Sequence, residues 1–325
     1  MLHNRVLYPV GQGGFAFEHI DGVSIIYDCG SDTSPKRVEM YIDQLLNKGF
    51  QTVDYIFVSH FDRDHVNCLT YIVNHLHVKN AVVPNIHRDR RIMYNALTYG
   101  AYNKIMDLFQ NPDCKIIEVE EGATHRIVVP NCPLWEWVAK SMFEVNDWNV
   151  LDTVLASEGI DTNRLQEPSF VALNRKQIAR CFKLAFGVSS VNAKGLVMLS
   201  HKTANARVTS IRLSRLSNSL PISNDNTGVM YVGDAVLLGR YQLQANNFLM
   251  QYEPQGLLLM QVPHHGSHNN SDHTLVQYFP AQYYLVCNKD DVRINNNSLC
   301  ASIQQNALMI HDIDAEMVCG DIEVG

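Results

Sequence analysis

The sequence Ser59-His60-Phe61-Asp62-Arg63-Asp64-His65 places two imidazoles and two carboxylates within six consecutive positions. It lies at the end of Val53–Ser59, a stretch of β-forming residues that predicts a buried strand. Charged groups at the end of a buried strand are costly to remove from water unless a partner compensates them. A divalent cation is such a partner, and this loop has enough ligands for two ions about 3.5–4 Å apart. The alternative is a solvated acidic loop that caps the next helix, because aspartate suits a helix N-terminus.

Two later strand ends supply side chains of the same kinds. Tyr231-Val232-Gly233-Asp234 ends a run of β-forming residues with a carboxylate, and Gly233 permits a tight bend. Val262-Pro263-His264-His265-Gly266-Ser267-His268 follows the apolar run Leu257–Gln261. Taken singly, Gly-Asp is typical of a turn, and one histidine is typical of a hydrogen-bonded structural side chain. Three strand ends with ligand-type residues together predict a metal cleft at one edge of a sheet.

Strand and helix signals are mixed along the whole chain. Turns are predicted at Gly11–Gly14 and at Asp21-Gly22, and Ser141–Arg180 has mixed, partly helical character. Helices are predicted at Pro35–Lys48, Val66–His77, Arg90–Gln110 and Ser298–Leu308. Strands are predicted at Arg5–Tyr8, Phe15–Ile20, Val23–Asp28, Val53–Ser59, Ala81–Pro84, within Lys115–Trp137, and at Gly195–Leu199, Gly228–Val232, Leu257–Val262 and Gln282–Cys287, with a last pair around Ala315–Val324. This order predicts an α/β sandwich, with one domain over residues 1–325 and a mixed segment inserted at 138–226.

Composition narrows the class of protein. The chain has 325 residues and is 46% hydrophobic, which is ordinary for a folded domain. Its eight cysteines are scattered singly, without a Cys-x-x-Cys pair, and this disfavours a structural zinc ribbon. The N-terminus has no long apolar leader, and no apolar run reaches the ~20 residues that span a bilayer. We therefore expect a cytoplasmic protein with reduced thiols and no membrane partner.

The charge of the chain is unevenly distributed. The formal net charge is -7, yet residues 168–224 contain no Asp or Glu. Nine of the 26 basic residues lie in this stretch, including Arg207, Arg212 and Arg215, whereas all 33 acidic residues lie elsewhere. One interpretation is an ordinary solvated surface; the other is a basic surface beside the active site that binds a polyanionic substrate.

In combination, these motifs resemble the metallo-β-lactamase superfamily, and they are most similar to the hydrolase domain of the ComEC/Rec2 DNA-uptake proteins and its free-standing relatives. The resemblance covers nearly the whole chain and implies an αββα sandwich. It rests on segments that occur in the family's order: Gly11–Gly14, Tyr27–Gly30, the His60–His65 loop, Gly233-Asp234, Val262–Ser267 and Cys319–Val324.

The resemblance implies two divalent metal ions, zinc or manganese. His60 and Asp62 would bind one ion, and Asp64 and His65 the other. Asp234 would bridge the two ions, and His264 would complete the second site. His265 and His268 would lie close by.

The chain departs from the superfamily pattern at the first metal site. Most members have histidine where this chain has Asp62, and the more oxygen-rich ligand set suits Mn²⁺ or Mg²⁺ better than an all-nitrogen set does. A further histidine ligand is expected between the first loop and Asp234. His125 and His201 are the available candidates, and Asn192 lies where ComEC-like relatives have a polar residue.

The function implied is metal-dependent hydrolysis, by a phosphodiesterase or nuclease that acts on DNA, RNA or nucleotides through a hydroxide activated by two metals. Asp64 would orient the water, and His265 or His268 would protonate the leaving group. Arg207, Arg212 and Arg215 would hold substrate phosphates. Two alternatives stay open: hydrolysis of a small ester, lactone or thioester, and a catalytically weak binding or regulatory module with a protein partner in a larger assembly.

Overall fold

The computed structural model describes residues 4–8, 10–129, 132–187, 195–202, 206–208, 211–213, 228–253, 256–267, 270–288, 307–311, 317–319 and 322–324. The α-helices within these ranges are α1 (Pro35–Asn47), α2 (Arg63–Val66), α3 (Leu69–His75), α4 (Arg91–Leu97), α5 (Ala101–Phe109), α6 (Val145–Ser157), α7 (Pro168–Phe186), α8 (Gly239–Tyr252) and α9 (Leu275–Tyr278). The strands there are β1 (Asn4–Leu7), β2 (Gly13–Ile20), β3 (Val23–Ser31), β4 (Thr52–Val53), β5 (Tyr55–Phe57), β6 (His77–Val78), β7 (Asn80–Pro84), β8 (Lys115–Val119), β9 (Thr124–Val129), β10 (Cys132–Ser141), β11 (Leu196–Lys202), β12 (Ala206–Val208), β13 (Ile211–Leu213), β14 (Val229–Tyr231), β15 (Leu257–Gln261), β16 (Ala281–Asn288), β17 (Ala307–His311), β18 (Met317–Cys319) and β19 (Ile322–Val324).

Most strands belong to two large sheets. The first sheet has the order β13-β18-β1-β2-β3-β5-β7-β8, and the second has the order β17-β16-β15-β14-β11-β10-β9. Strands β3, β5, β7 and β8 run parallel in the first sheet, as do β14, β15, β16 and β17 in the second. Two short ladders, β12 with β19 and β4 with β6, complete the pairing of the described strands.

Three apolar cores define four layers. Side chains of both sheets form the central core, among them Tyr27 and Phe57 from the first sheet and Trp137, Tyr231 and Leu259 from the second. Helices α1, α3 and α5 pack on the outer face of the first sheet, and α6, α7 and α8 pack on the outer face of the second. The predicted αββα sandwich is therefore confirmed.

The hairpin of β2 and β3 shows how local sequence builds the first sheet. Asp21 and Gly22 have φ values of 50° and 85°, which match the tight turn that their dipeptide predicts. Along β2, Phe15 and Phe17 pack against the helix layer, whereas Ala16 packs in the central core. This alternation is the period of two that a strand between two apolar layers requires.

A buried polar network joins the two sheets below the cleft. The carboxylate of Glu18 accepts hydrogen bonds of 2.6 Å each from Trp137 Nε1, Ser200 Oγ and Tyr231 Oη. Arg5 Nε lies 3.5 Å from the same carboxylate, and both side chains are 1% exposed. Because several donors compensate the charge of Glu18, the network holds β2 of the first sheet against β11 and β14 of the facing sheet.

The prediction of one continuous helix over Arg90–Gln110 is wrong, because the segment forms two helices. Helix α4 ends at Leu97 and α5 begins at Ala101. Between them, Tyr99 and Gly100 have φ values of 54° and 86°. A right-handed helix cannot continue through left-handed residues, so Gly100 divides the segment into two helices.

The C-terminal predictions also need correction. Residues 298–306 of the predicted helix Ser298–Leu308 lie outside the described residues, and Ala307–His311 is β17, which pairs parallel with β16. The expected last strands exist as β18 and β19, but β18 pairs with β1 and β13, and β19 pairs with β12. Their partners lie far away in sequence, and local pattern therefore could not identify them.

The segment 138–226, predicted as an insertion, includes the end of β10, α6, α7 and β11. Strands β10 and β11 pair with each other inside the second sheet, so this segment contributes to that sheet as well as to its helix layer. The insertion itself stays a prediction. Among the described helices, none is long and apolar enough to cross a membrane.

Candidate metal centre

The polar strand ends meet at one edge of the sandwich. Strands β3 and β5 are parallel, as are β14 and β15, so each pair ends at a common edge of its sheet. The first strand residue of β11 ties the two edges together: Leu196 N donates to Ser59 O over 2.8 Å, and Tyr27 Oη donates to Leu196 O over 2.9 Å. The loops after β3, β5, β14 and β15 therefore border one cleft.

The loop after β5 supplies four of the predicted ligands. His60 and His65 are fully buried, Asp64 is 8% exposed, and the side chain of Asp62 is 39% exposed. Asp62 occupies the N-cap position of α2, but its side chain makes no capping hydrogen bond to the described backbone of that helix. The structure thus disfavours the interpretation of this loop as a mere helix cap.

Asp234 is held in a tight turn after β14. Gln261 Oε1 accepts hydrogen bonds from Val232 N at 3.0 Å and from Gly233 N at 3.2 Å. Gly233 has φ 51°, and a Cβ there would lie 2.5 Å from Ser59 Oγ, so only glycine allows the two loops to approach. The buried carboxylate of Asp234 consequently faces the His60 loop.

His264 and His265 lie in a left-handed turn after β15. Their φ and ψ values are 48° and 48° for His264, and 54° and 30° for His265, and Gly266 follows with φ 80°. His264 N donates to Gly233 O over 3.0 Å, which docks this turn against the Asp234 turn. A left-handed non-glycine residue costs about 1–3 kcal/mol, and two in succession persist only where the surrounding structure fixes them.

The carboxylate of Asp234 lies among four imidazoles. Its Oδ1 atom is 3.2 Å from His65 Nε2 and 3.8 Å from His265 Nε2. Its Oδ2 atom is 3.8 Å from His60 Nε2 and 3.5 Å from His264 Nε2. Each oxygen of Asp234 therefore faces two imidazoles, and the bridging role that the resemblance implies stays a prediction.

Two groups of ligand atoms surround that carboxylate. In one group, Asp64, His65 and His265 have ligand atoms within 4.8 Å of one another, and His265 Nε2 lies 3.2 Å from Asp64 Oδ2. The structure thus brings His265, rather than His264, to the pair that His264 was expected to complete, because the left-handed turn directs adjacent imidazoles differently. The other group consists of His60, Asp62 and Asp234.

Buried atoms without partners show that divalent cations fit this cleft. His60 Nε2 is inaccessible to solvent and has no hydrogen-bond partner in the described part of the chain, whereas the equally buried His65 Nε2 and Asp234 Oδ1 face each other at 3.2 Å. Each unsatisfied buried polar atom costs about 1–3 kcal/mol. Imidazole nitrogens and carboxylate oxygens are typical ligands of zinc and of manganese, so bound cations would compensate this cost.

Asp28 orients the two buried histidines, and sequence reasoning assigned it no role. Its Oδ2 atom lies 2.8 Å from His65 Nδ1 and accepts a hydrogen bond of 2.6 Å from Ser59 Oγ. Ser59 Oγ in turn lies 2.7 Å from His60 Nδ1. Both Nδ1 atoms are thereby engaged, which directs both Nε2 atoms into the cleft. The available signal was an aspartate at the end of the predicted strand Val23–Asp28, within a motif of the resemblance.

We expect Asp28→Asn to weaken metal binding by about 10- to 100-fold, because partners that orient a ligand have effects of this size. Asparagine tolerates the left-handed backbone of Asp28, whose φ is 56°, so the exchange tests the carboxylate and not the turn. Asp21→Asn is the matched control, since Asp21 has φ 50° in the distant β2–β3 hairpin. Metal titration should distinguish the two variants, and equal affinities would exclude the orienting role.

Mutual electrostatics perturb the ligands before any cation binds. Burial, together with the charges of Asp234 and Asp64, raises the pKa of Asp62 to about 7. Burial alone would lower the pKa of His65, but the carboxylates of Asp234 and Asp28 raise it well above its ordinary value. Without a cation, the two carboxylates therefore favour the protonated form of His65, and Asp62 is partly protonated near neutral pH.

Metal binding should release protons from the cleft. Ligation requires ionised Asp62 and a neutral His65, so both groups must lose the protons that they hold in the metal-free protein. Burial and the neighbouring His65 lower the pKa of His60 to about 4, so this ligand contributes no proton. We expect apparent affinity to rise with pH, and proton release to be larger at about pH 6 than at about pH 8, where Asp62 is already ionised. Calorimetry in buffers with different ionisation enthalpies measures this release, and binding without proton release would contradict the assignment.

The other predicted residues lie away from the cleft or outside the described residues. His201 Nε2 lies 2.9 Å from Glu136 Oε1. His201 is five residues along β11 from Leu196, the residue next to the cleft, and this separation is about 16 Å at ~3.3 Å per residue. His125 lies in β9, at the far edge of the second sheet. Neither belongs to a ligand group among the described residues. The other predicted site residues fall outside what the structure describes, namely Asn192, Arg215 and His268. The same holds for the side chains of Arg207 in β12 and Arg212 in β13.

Comparison with known proteins supports the superfamily resemblance. A sequence model of the metallo-beta-lactamase superfamily matches residues 16–91, which include Asp28 and the His60–His65 loop. This match does not distinguish the ComEC/Rec2-type branch. No curated protein sequence matches the chain.

Several solved structures are similar to this chain at low sequence identity and with TM-scores below 0.5. Zn(2+)-bound PqqB from Methylobacterium extorquens has 8% identity and a TM-score of 0.46, with 96% of this chain and 87% of that chain covered. The metallo-beta-lactamase fold protein YhfI from Bacillus subtilis has 8% identity and a TM-score of 0.48, with 99% and 100% covered. Igni18, a metallo hydrolase from Ignicoccus hospitalis, has 12% identity and a TM-score of 0.44, with 98% and 97% covered. At these identities the likeness concerns the fold alone.

Proposed function

We propose that this chain, which matches the metallo-beta-lactamase superfamily over residues 16–91, is a metal-dependent hydrolase that cleaves phosphodiester bonds in a nucleic acid or nucleotide. The observation that carries the hydrolase assignment is the convergence of buried imidazoles on Asp234, with an unsatisfied Nε2 atom on His60. A merely structural cluster would satisfy this atom within the protein.

Bound zinc or manganese would supply Lewis-acid activation of water and of the electrophilic centre of the substrate. The residues around the cleft prepare that chemistry. Burial would raise the pKa of Asp64, but the hydrogen bond from His265 and the charge of His65 lower it to about 2. Asp64 is therefore ionised at neutral pH and can accept a hydrogen bond from the attacking water, which orients it.

Substrate would enter from the side of Asp62 and His264. The side chains of these two residues are 39% and 28% exposed, whereas those of His60, His65 and Asp234 are 1–3% exposed. The buried side of the cleft excludes bulk water, and the exposed side leaves room for the scissile group.

The donor of the leaving-group proton is a separate question. The sequence predicts His265 or His268 for this role. His265 is 3% exposed and lies 3.2 Å from Asp64 Oδ2, which places it among the candidate ligands. His268 lies outside the described residues and stays a prediction.

Two observations support a phosphodiester over a neutral ester. Residues 168–224 carry nine basic and no acidic residues in a chain of net charge -7. Closer to the cleft, Arg63 lies between Asp62 and Asp64 in sequence, and its side chain is 77% exposed while it pairs with Asp32 at 3.1 Å. An exposed guanidinium beside the ligand loop suits phosphate, which it can bind with two hydrogen bonds.

Activity assays with single-stranded DNA, a cyclic nucleotide and a thioester, each with Mn²⁺ and with Zn²⁺, test the substrate class. We expect turnover of a phosphodiester, and Arg63→Ala should raise KM about tenfold, the effect of one lost charged hydrogen bond of about 1.4 kcal/mol. Lys48→Ala, an exposed cation at the end of α1, is the control that should leave KM unchanged. Turnover of the thioester alone would replace the phosphodiester proposal by the small-ester alternative, and absence of any turnover would favour the binding module.

A further inference from the structure

His264 stands on a different side of Asp234 from its neighbour His265. His264 Nε2 is 3.5 Å from Asp234 Oδ2, the oxygen that also faces His60 Nε2 at 3.8 Å. His265 Nε2 instead lies 3.8 Å from Oδ1 and 3.2 Å from Asp64 Oδ2. The adjacent histidines are therefore divided between the two oxygens of one carboxylate.

Without His264, the two halves of the cleft are unequal. The half at Asp234 Oδ1 contains three further ligand side chains, Asp64, His65 and His265. Among the described residues, the half at Oδ2 contains two further ligand side chains, His60 and Asp62. Counting Asp234 in both, the halves have four and three protein ligands, so one more histidine would make them equal.

Asn270 holds His264 in place. Asn270 Oδ1 lies 2.6 Å from His264 Nδ1, and Asn270 Nδ2 donates to Asp234 O over 2.6 Å. Asn270 is 1% exposed, and its backbone carbonyl accepts from Leu237 N over 2.7 Å. Because the amide oxygen can accept a proton only from Nδ1, this contact fixes the ring with its other nitrogen, Nε2, directed toward Asp234.

We propose that His264 completes the metal site formed by His60 and Asp62, and that Asn270 is the residue that positions it. The left-handed turn at Pro263–Gly266 then has a purpose, since it makes two consecutive histidines serve one ion each. The proposal rests on the proposed metal-dependent hydrolase and names the ligand of its first ion. It does not require a histidine from elsewhere in the chain.

Metal stoichiometry tests this assignment independently of turnover. Co²⁺ is titrated into the full chain, and visible absorption and mass spectrometry count the bound ions. His264→Asn and His265→Asn should each retain one ion of the two bound by the wild type, because asparagine accepts the left-handed backbone but lacks the imidazole. His87→Asn, at a side chain that is 61% exposed, is the control and should bind two.

Combined variants identify the ion that is lost. Adding Asp62→Asn to His264→Asn should leave the remaining ion bound, whereas adding Asp64→Asn should release it. Asn270→Ala keeps every ligand and should weaken the first ion about 10- to 100-fold, which provides a second test if His264→Asn fails to fold.

Two wild-type-like ions in His264→Asn, with reduced turnover, would overturn the proposal and make His264 a substrate contact. A wild type that binds one ion, unaffected by His264→Asn, would overturn it as well. A folded wild type that binds no ion would reject the whole metal centre, and this outcome is distinct from failure of the His264 assignment.

Discussion

Asp234→Asn is expected to lower turnover by about a hundredfold to a thousandfold or more, while the protein keeps a cooperative unfolding transition. The two oxygens of Asp234 face different pairs of imidazoles, at 3.2–3.8 Å. An amide replaces one of these oxygens by a hydrogen-bond donor and removes the charge. The fold should survive because β14 is held by burial of Val229, Met230 and Tyr231, and not by this carboxylate.

Steady-state kinetics measures the loss of turnover in Asp234→Asn, and thermal denaturation of the same preparation shows whether unfolding stays cooperative. Asp107→Asn, at an exposed position of α5, is the matched control and should have wild-type activity. Full activity in Asp234→Asn would remove Asp234 from the bridging position. Loss of cooperative unfolding would show instead that the carboxylate is needed for the fold.

Asp64→Ala combined with His65→Ala should reduce the thermal stabilisation that metal gives the wild type. A ligand present at a thousandfold excess over its Kd stabilises the native state by about 4 kcal/mol, which is several degrees in Tm for a chain of this size. The double variant loses two ligands of the half-site at Asp234 Oδ1 but keeps His60 and Asp62, so metal should shift its Tm by less than it shifts the Tm of the wild type.

The matched control changes an aspartate and a histidine that lie together outside the cleft. His87 Nδ1 is 3.8 Å from Asp89 Oδ2, and their side chains are 61% and 56% exposed. His87→Ala with Asp89→Ala should retain the wild-type shift in Tm on metal addition. Unchanged metal content in the Asp64 and His65 double variant, measured by mass spectrometry, would contradict the first metal assignment made from the sequence.

Sequence pattern located the candidate ligands because each follows an apolar strand. His60, Asp234 and His265 come directly after stretches whose burial requires them to be strands, and parallel strands end at a common edge. The layer architecture followed from the same alternation of strands and helices. The end of each apolar stretch marks the position where the chain leaves the core and enters a loop at the cleft.

Residues that hold the ligands could not be identified in this way. Asp28, Ser59, Gln261 and Asn270 act through hydrogen bonds whose partners lie from one residue to more than thirty residues away in sequence. Whether a side chain makes such a hydrogen bond depends on the direction that the folded backbone gives it. No periodic pattern in the sequence reports that direction. The same limit explains why His264 and not His265 was expected beside Asp64: adjacent residues in a left-handed turn leave no alternation to read.

Strand partners set a further limit. The pairing of β18 with β1 joins residues at opposite ends of the chain, and β19 pairs with β12 instead of with β18. The break between α4 and α5 was missed because the apolar pattern continues across it, although Gly100, which has a left-handed backbone there, is a residue that commonly ends helices.

Metal analysis of the full chain, purified without chelator and supplied with Zn²⁺ or Mn²⁺, tests the central claim most directly. We predict two divalent ions per chain by mass spectrometry, and one ion fewer in Asp64→Ala combined with His65→Ala. A folded protein that retains no divalent ion with either metal, at about pH 8 where Asp62 is ionised, would contradict it.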